Sequence, residues 1–132
     1  MTADETHGQT LAAGLAARKE VLGADHVERS MAQASEFSRP IQDLVTEYCW
    51  GVIWTDDTLT RKTRSLINLA MLTALNRGHE LGVHVRGAVN NGVTPAEIQA
   101  VLMQTAVYVG VPAALESFRV AERVLKELGH DV

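Results

Sequence analysis

Apolar residues recur three and four positions apart along most of this chain and do not alternate as in a half-buried strand. That spacing predicts a series of amphipathic helices punctuated by glycine and proline. From about Gly8 to Leu22 the chain is rich in Ala and Leu, with Gly23 as a stop. Val27 to Phe37 reads as a shorter segment of one or two turns. Pro40 reads as a first-turn proline opening a helix with Ile41, Leu44, Val45 and Tyr48. Trp50 to Asp57 reads as a loop holding two tryptophans that favour burial.

The pattern sharpens in the second half. Thr60 is predicted to cap a helix from Arg61 to Asn76, with Leu66, Leu69, Ala70 and Thr73 facing inward and Arg77-Gly78 as its break. A second helix runs from about His79 to Asn90 and ends at Asn91-Gly92. Thr94-Pro95-Ala96-Glu97 combines an N-cap threonine, a first-position proline and a third-position glutamate, which is a capping box. The helix behind it carries Ile98, Val101, Leu102, Thr105 and Val109, and stops at Gly110. Pro112 opens a last helix with Leu115, Phe118, Val120, Ala121, Val124 and Leu125. The expected architecture is all-α, with a central antiparallel helix pair from Arg61 to about Asn90. Leu66 to Ala74 is apolar on more than one face, which predicts burial between subunits as well as within one.

Composition narrows the class. With 132 residues, 46% of them hydrophobic and 21% charged, the chain fits one globular domain, its first seven residues expected to be flexible. A net charge of −4 and the lack of a basic stripe argue against nucleic acid as a partner. The single cysteine, Cys49, excludes an internal disulfide and any CxxC site. Residues 1–7 hold no signal-peptide core, and no apolar run approaches the ~18 residues needed to span a bilayer. A cytoplasmic location without membrane attachment is expected.

One titratable residue stands out. Leu81, His84, Val85 and Ala88 share a helix face, which puts an imidazole on an apolar stripe with Glu80 one turn earlier. Such a pair is either a core-edge histidine held by a carboxylate or a proton donor tuned by burial and charge. A metal would need third and fourth ligands, and none stands at suitable spacing; His79 is turned away from His84. No metal is therefore expected. Arg61, Arg64 and Arg86 are candidate anion binders, since a guanidinium presents a planar fork to a carboxylate. Arg64 shares a face with Ile67 and Met71 and is expected to point inward, whereas Arg86 reads as a solvated surface charge. Trp50, Trp54 and Tyr108 are either core or a platform for a substrate. Phosphate loops, serine elbows and dinucleotide fingerprints are absent.

Several segments together resemble the carboxymuconolactone decarboxylase family. They are Arg18-Lys19-Glu20-Val21-Leu22-Gly23, Tyr48-Cys49-Trp50-Gly51-Val52-Ile53-Trp54-Thr55, Arg61-Lys62-Thr63-Arg64-Ser65-Leu66, Ala74-Leu75-Asn76-Arg77-Gly78, His84-Val85-Arg86-Gly87-Ala88, Asn90-Asn91-Gly92-Val93-Thr94 and Tyr108-Val109-Gly110-Val111-Pro112-Ala113-Ala114. The order and spacing of these segments, over roughly residues 15 to 125, carry the likeness. It implies an alkylhydroperoxidase D-like helical fold, a homotrimer or homohexamer, and sites near subunit contacts. It also implies decarboxylation of 4-carboxymuconolactone, a small lactone dicarboxylate, to the enol-lactone of 3-oxoadipate in protocatechuate catabolism, without a cofactor. The implied roles are His84 and Glu80 as the catalytic pair, and Arg64 and Arg61, with Trp50, Trp54 and Tyr108, in substrate binding. The thiol peroxidase partners of the wider superfamily carry a Glu, two Cys and a His in a proton relay. Here those positions match Ser65, Arg77, Glu80 and His84, so disulfide chemistry is absent there. His79, Leu115 and Asp56-Asp57-Thr58 depart from the decarboxylase pattern. They leave open a related lactone decarboxylase or isomerase, and a non-catalytic helical assembly stands as the reading from a different class.

Overall fold

A computed structural model describes residues 2–132. The described residues form α-helices and one π-helix, with no strand. They fall into two compact units that divide after Leu59.

In the first unit, α1 (Ala3–Leu22) starts well before Gly8 because Thr2 and Glu5 form a reciprocal capping box. Ala3 to His7, expected to be flexible, are therefore helical, and Met1 lies outside the described residues. Gly14, Ala17, Arg18, Val21 and Leu22 are the buried positions of α1. Gly23 ends it at φ 92°, and α2 (Ala24–Ala32) follows at once, earlier than the expected Val27. Next comes α3 (Arg39–Leu44), with Pro40 in its first turn as expected. The chain then continues without a break into a π-helix (Val45–Ile53).

That π-helix overturns the loop expected from Trp50 onward. Its packing against α1 supplies the reason. A Cβ on Gly14 would lie 2.0 Å from the Thr46 carbonyl oxygen, and one on Gly51 would lie 2.4 Å from that of Thr10. Two glycines thus let the backbones touch, and this tertiary contact outweighs the poor helix propensity of Trp50-Gly51-Val52. The wide turn also brings Trp50 and Trp54 together. Both are buried, with ring centroids 4.8 Å apart and planes 20° from parallel.

The second unit contains α4 (Arg61–Ala74), α5 (Gly78–Asn90), α6 (Pro95–Tyr108) and α7 (Val111–Glu127). Thr60 caps α4 by accepting from the Thr63 amide, and Thr94 and Glu97 form the expected capping box on α6. The break between α4 and α5 is made by Asn76, in the left-handed region at φ 56°. Leu69, Leu81, Val85, Ala88, Ile98, Leu102, Val120 and Val124 are among the side chains of the core. Leu69 and Leu81 are fully buried, so truncating either to alanine costs about 2–5 kcal/mol. One polar chain runs through this core: Ser117 Oγ donates to Thr73 Oγ1 at 2.9 Å, which donates to the Leu69 carbonyl at 2.8 Å. Each buried hydroxyl is satisfied, so burial costs little.

Candidate active site

The antiparallel pair α4–α5 positions the expected chemistry of the second unit. Its register is set by Asn91, the C-cap of α5. The Asn91 amide donates to Ser65 Oγ at 2.9 Å and to the Arg61 carbonyl at 3.4 Å. Ser65 is fully buried, so its hydroxyl is locked to a neighbouring helix end. Arg61 and Arg64 stand at this end of the pair. His84 lies about 10 Å, and Glu80 about 16 Å, along α5 towards its other end, at 1.5 Å per residue.

His84 is half-buried, and its Nδ1 is closed to solvent. Burial lowers its pKa to about 4, with the Glu80 carboxylate pulling the other way. Glu80 is exposed. The pair read from the sequence is thus joined electrostatically, and desolvation dominates it. At neutral pH the imidazole is uncharged.

Arg64 is half-buried with Nε closed to solvent, although Ile67 and Met71, with which it shares a face, are exposed. Arg86 instead reaches Glu127 on α7 at 3.0 Å, a surface ion pair of small energetic weight. Tyr108 ends α6 and is 83% exposed, so its reading as core fails. Trp50 and Trp54 are buried against one another in the first unit. His79 is exposed, and among the described residues no three His, Cys, Asp or Glu side chains cluster as a metal site would require. A groove of about 430 Å³ lies between α6 and α7, lined by Pro95, Ile98, Leu102, Phe118 and Val132 among others, and includes none of the expected site residues. No described helix is long and apolar enough to cross a membrane.

Comparison with known proteins adds the family. The model of the carboxymuconolactone decarboxylase family matches residues 39–123, which include the π-helix, Arg64, Glu80 and His84. The chain belongs to that family. It is 40% identical over 127 residues to nitrosuccinic acid decarboxylase npaB of Metarhizium robertsii, covering 96% of this chain and 89% of that protein. It is also 40% identical over 116 residues to 4-carboxymuconolactone decarboxylase of Acinetobacter baylyi, covering 88% and 87%. Both of these family relatives are decarboxylases, named for different substrates.

Sequence reasoning missed two features. Asn91 was read only as a helix end, although it also ties α5 to Ser65. Arg18 entered only through the family likeness, yet it is 7% exposed and donates from Nη1 to Thr46 Oγ1 and Gln42 Oε1 at 3.0 and 3.1 Å. The available signal was its place on the Gly14, Ala17, Val21 face of α1.

Proposed function

We propose that this chain is a cofactor-free decarboxylase acting on 4-carboxymuconolactone, with His84 handling the proton. The observation that carries the reading is a half-buried imidazole, electrostatically joined to Glu80, on α5 of a carboxymuconolactone decarboxylase-family fold. In this substrate the departing carboxylate is attached next to an alkene conjugated with the lactone carbonyl. The electron pair left by CO2 flows through the alkene into that carbonyl, so the substrate is its own electron sink. The protein's tasks are then to hold the anion, to stabilise charge on the lactone oxygen, and to protonate the dienolate carbon.

Arg64 is assigned the anion, with Arg61 beside it, and Tyr108, exposed at the end of α6, is assigned to substrate contact. His84 is assigned the proton. Burial keeps its ring neutral, whereas a bound dicarboxylate places negative charge nearby and raises its pKa. The substrate thereby recruits the proton that it later receives at carbon, and Glu80 favours the charged ring in the same direction. The balance is simple: a carboxylate leaves as CO2, and one proton replaces it.

A second reading has its own support. The relative from Metarhizium robertsii is named for nitrosuccinic acid. A nitro group beside a carboxylate can also accept the electron pair, as a nitronate, so the same proton-handling site serves either acid. Measuring CO2 release from 4-carboxymuconolactone and from nitrosuccinate separates the readings. Turnover of the lactone with slower or absent turnover of nitrosuccinate is expected. The reverse order assigns the second substrate, and no release from either overturns decarboxylation.

Self-association belongs to the same proposal. Ile67 and Met71 on α4, with Leu75 at its C-cap, form an exposed stripe, and Met103 and Val107 form another on α6. We assign them to contacts between copies in a homotrimer or homohexamer, the second role expected for the multi-faced apolar helix.

A further inference from the structure

Arg18 is a charge placed where charge is costly. Its side chain is 7% exposed, yet its Nη1 donates only to neutral acceptors: Thr46 Oγ1, Gln42 Oε1 and, at 3.7 Å, Met31 Sδ. The one ionisable neighbour acting on its charge is the Cys49 thiol, and burial lowers its pKa. Among the described residues no carboxylate forms an ion pair with it. A buried cation of this kind is normally paired, because an uncompensated charge is expensive to desolvate.

The hydrogen bonds it lacks are as informative as those it makes. Nε is buried and has no acceptor. Nη2 has no protein acceptor among the described residues either, and it is not sealed as Nε is. The Nε–H and one Nη2–H lie parallel along the same edge of a guanidinium, the edge that binds a carboxylate with two hydrogen bonds. The protein has therefore used the Nη1 end to fix the side chain and left one fork open. Thr46 is itself held, donating to the Gln42 carbonyl at 2.7 Å, so the clamp on Nη1 is rigid.

We propose that Arg18 is the anchor of a binding site in the first unit for a small carboxylate anion, which closes on its Nε–Nη2 edge. A carboxylate fits better than a phosphate. The edge offers two parallel donors and one positive charge, enough for a monoanionic group, while the surrounding acceptors are neutral. The site does not rest on the assignment of His84 or on the identity of the decarboxylase substrate.

The test uses the whole chain labelled with 15N, with succinate as the probe and sodium chloride at equal ionic strength as control. The Nε–H signal of Arg18 is identified by its loss in Arg18→Lys, which keeps the charge but removes the fork. Succinate is expected to move that signal downfield and to saturate, while chloride leaves it in place. The Thr46 and Cys49 amide signals are expected to move with it, and to need about tenfold more succinate in Arg18→Lys. An Arg18 signal that ignores succinate, or follows chloride equally, overturns the proposal. So do Thr46 and Cys49 amides that respond alike in both proteins, which leaves Arg18 as a structural clamp. A signal that moves with protein concentration instead of succinate also overturns it, by assigning the carboxylate to a second copy of the chain.

Discussion

Asn91 donates its side-chain amide to Ser65 Oγ across 2.9 Å and so pins the end of α5 to the first turns of α4. Ser65 is fully buried, and losing this partner leaves its hydroxyl without that hydrogen bond inside the protein. Asn91→Ala is expected to destabilise by about 1–3 kcal/mol. Urea unfolding of Asn91→Ala, Ser65→Ala and the double variant checks this. The double variant should cost less than the sum of the singles, whereas strict additivity would mean that the two side chains do not interact.

The histidines should pull stability in opposite directions with pH. Burial lowers the His84 pKa to about 4, so between pH 6.5 and 4 the unfolded chain takes up a proton that the folded chain refuses. Its contribution to stability is therefore constant above pH 6.5 and falls as pH drops towards 4. Replacing it by His84→Gln should recover roughly 2–3 kcal/mol at pH 4.5 relative to pH 7. His7 has a raised pKa through its hydrogen bond to Glu47, so its contribution is full below pH 6.5 and is lost as pH rises through the raised value. Urea midpoints of His84→Gln and His7→Gln against the wild type across this range measure the two slopes, and equal slopes would contradict the assignment.

Gly14 and Gly51 let α1 touch the π-helix. Since a Cβ at Gly14 would sit 2.0 Å from the Thr46 carbonyl oxygen, Gly14→Ala must push the two helices apart. Overpacking of this kind typically costs about 1–3 kcal/mol, and backbone contact puts this case at the upper end. The near-ultraviolet circular dichroism of the stacked Trp50 and Trp54 should weaken in parallel. An unchanged aromatic signal with unchanged stability would mean that the close approach does not exist.

Much of the helical order was legible because its signals are local. Thr94-Pro95-Ala96-Glu97 states a helix start within four residues, and Pro40 and Pro112 mark first turns. The π-helix was not legible, because its cause is a tertiary contact between Gly14 and Thr46, far apart in sequence. His84 stood out as a polar ring on an apolar stripe. Arg18 carries the same signature on α1, yet its meaning appears only when Thr46 and Gln42 come round to meet it. Residues 3–7 are helical although polar, because Thr2 and Glu5 form a capping box in front of them.

Arg64 carries a prediction separable from His84. As the assigned anion holder, Arg64→Ala should raise KM by about tenfold or more while changing kcat less. Initial rates over a range of lactone concentrations measure the split. An unchanged KM removes Arg64 from the role, leaving Arg61 as the remaining guanidinium at that end of the pair.

The most direct test of the central claim is the kcat of His84→Ala on 4-carboxymuconolactone, followed by CO2 release in protein shown to be folded. If His84 supplies the proton to the dienolate, kcat should fall by at least about tenfold, roughly 1.4 kcal/mol of barrier, with a smaller fall in Glu80→Gln. A folded His84→Ala protein that releases CO2 within about tenfold of the wild-type rate contradicts the account.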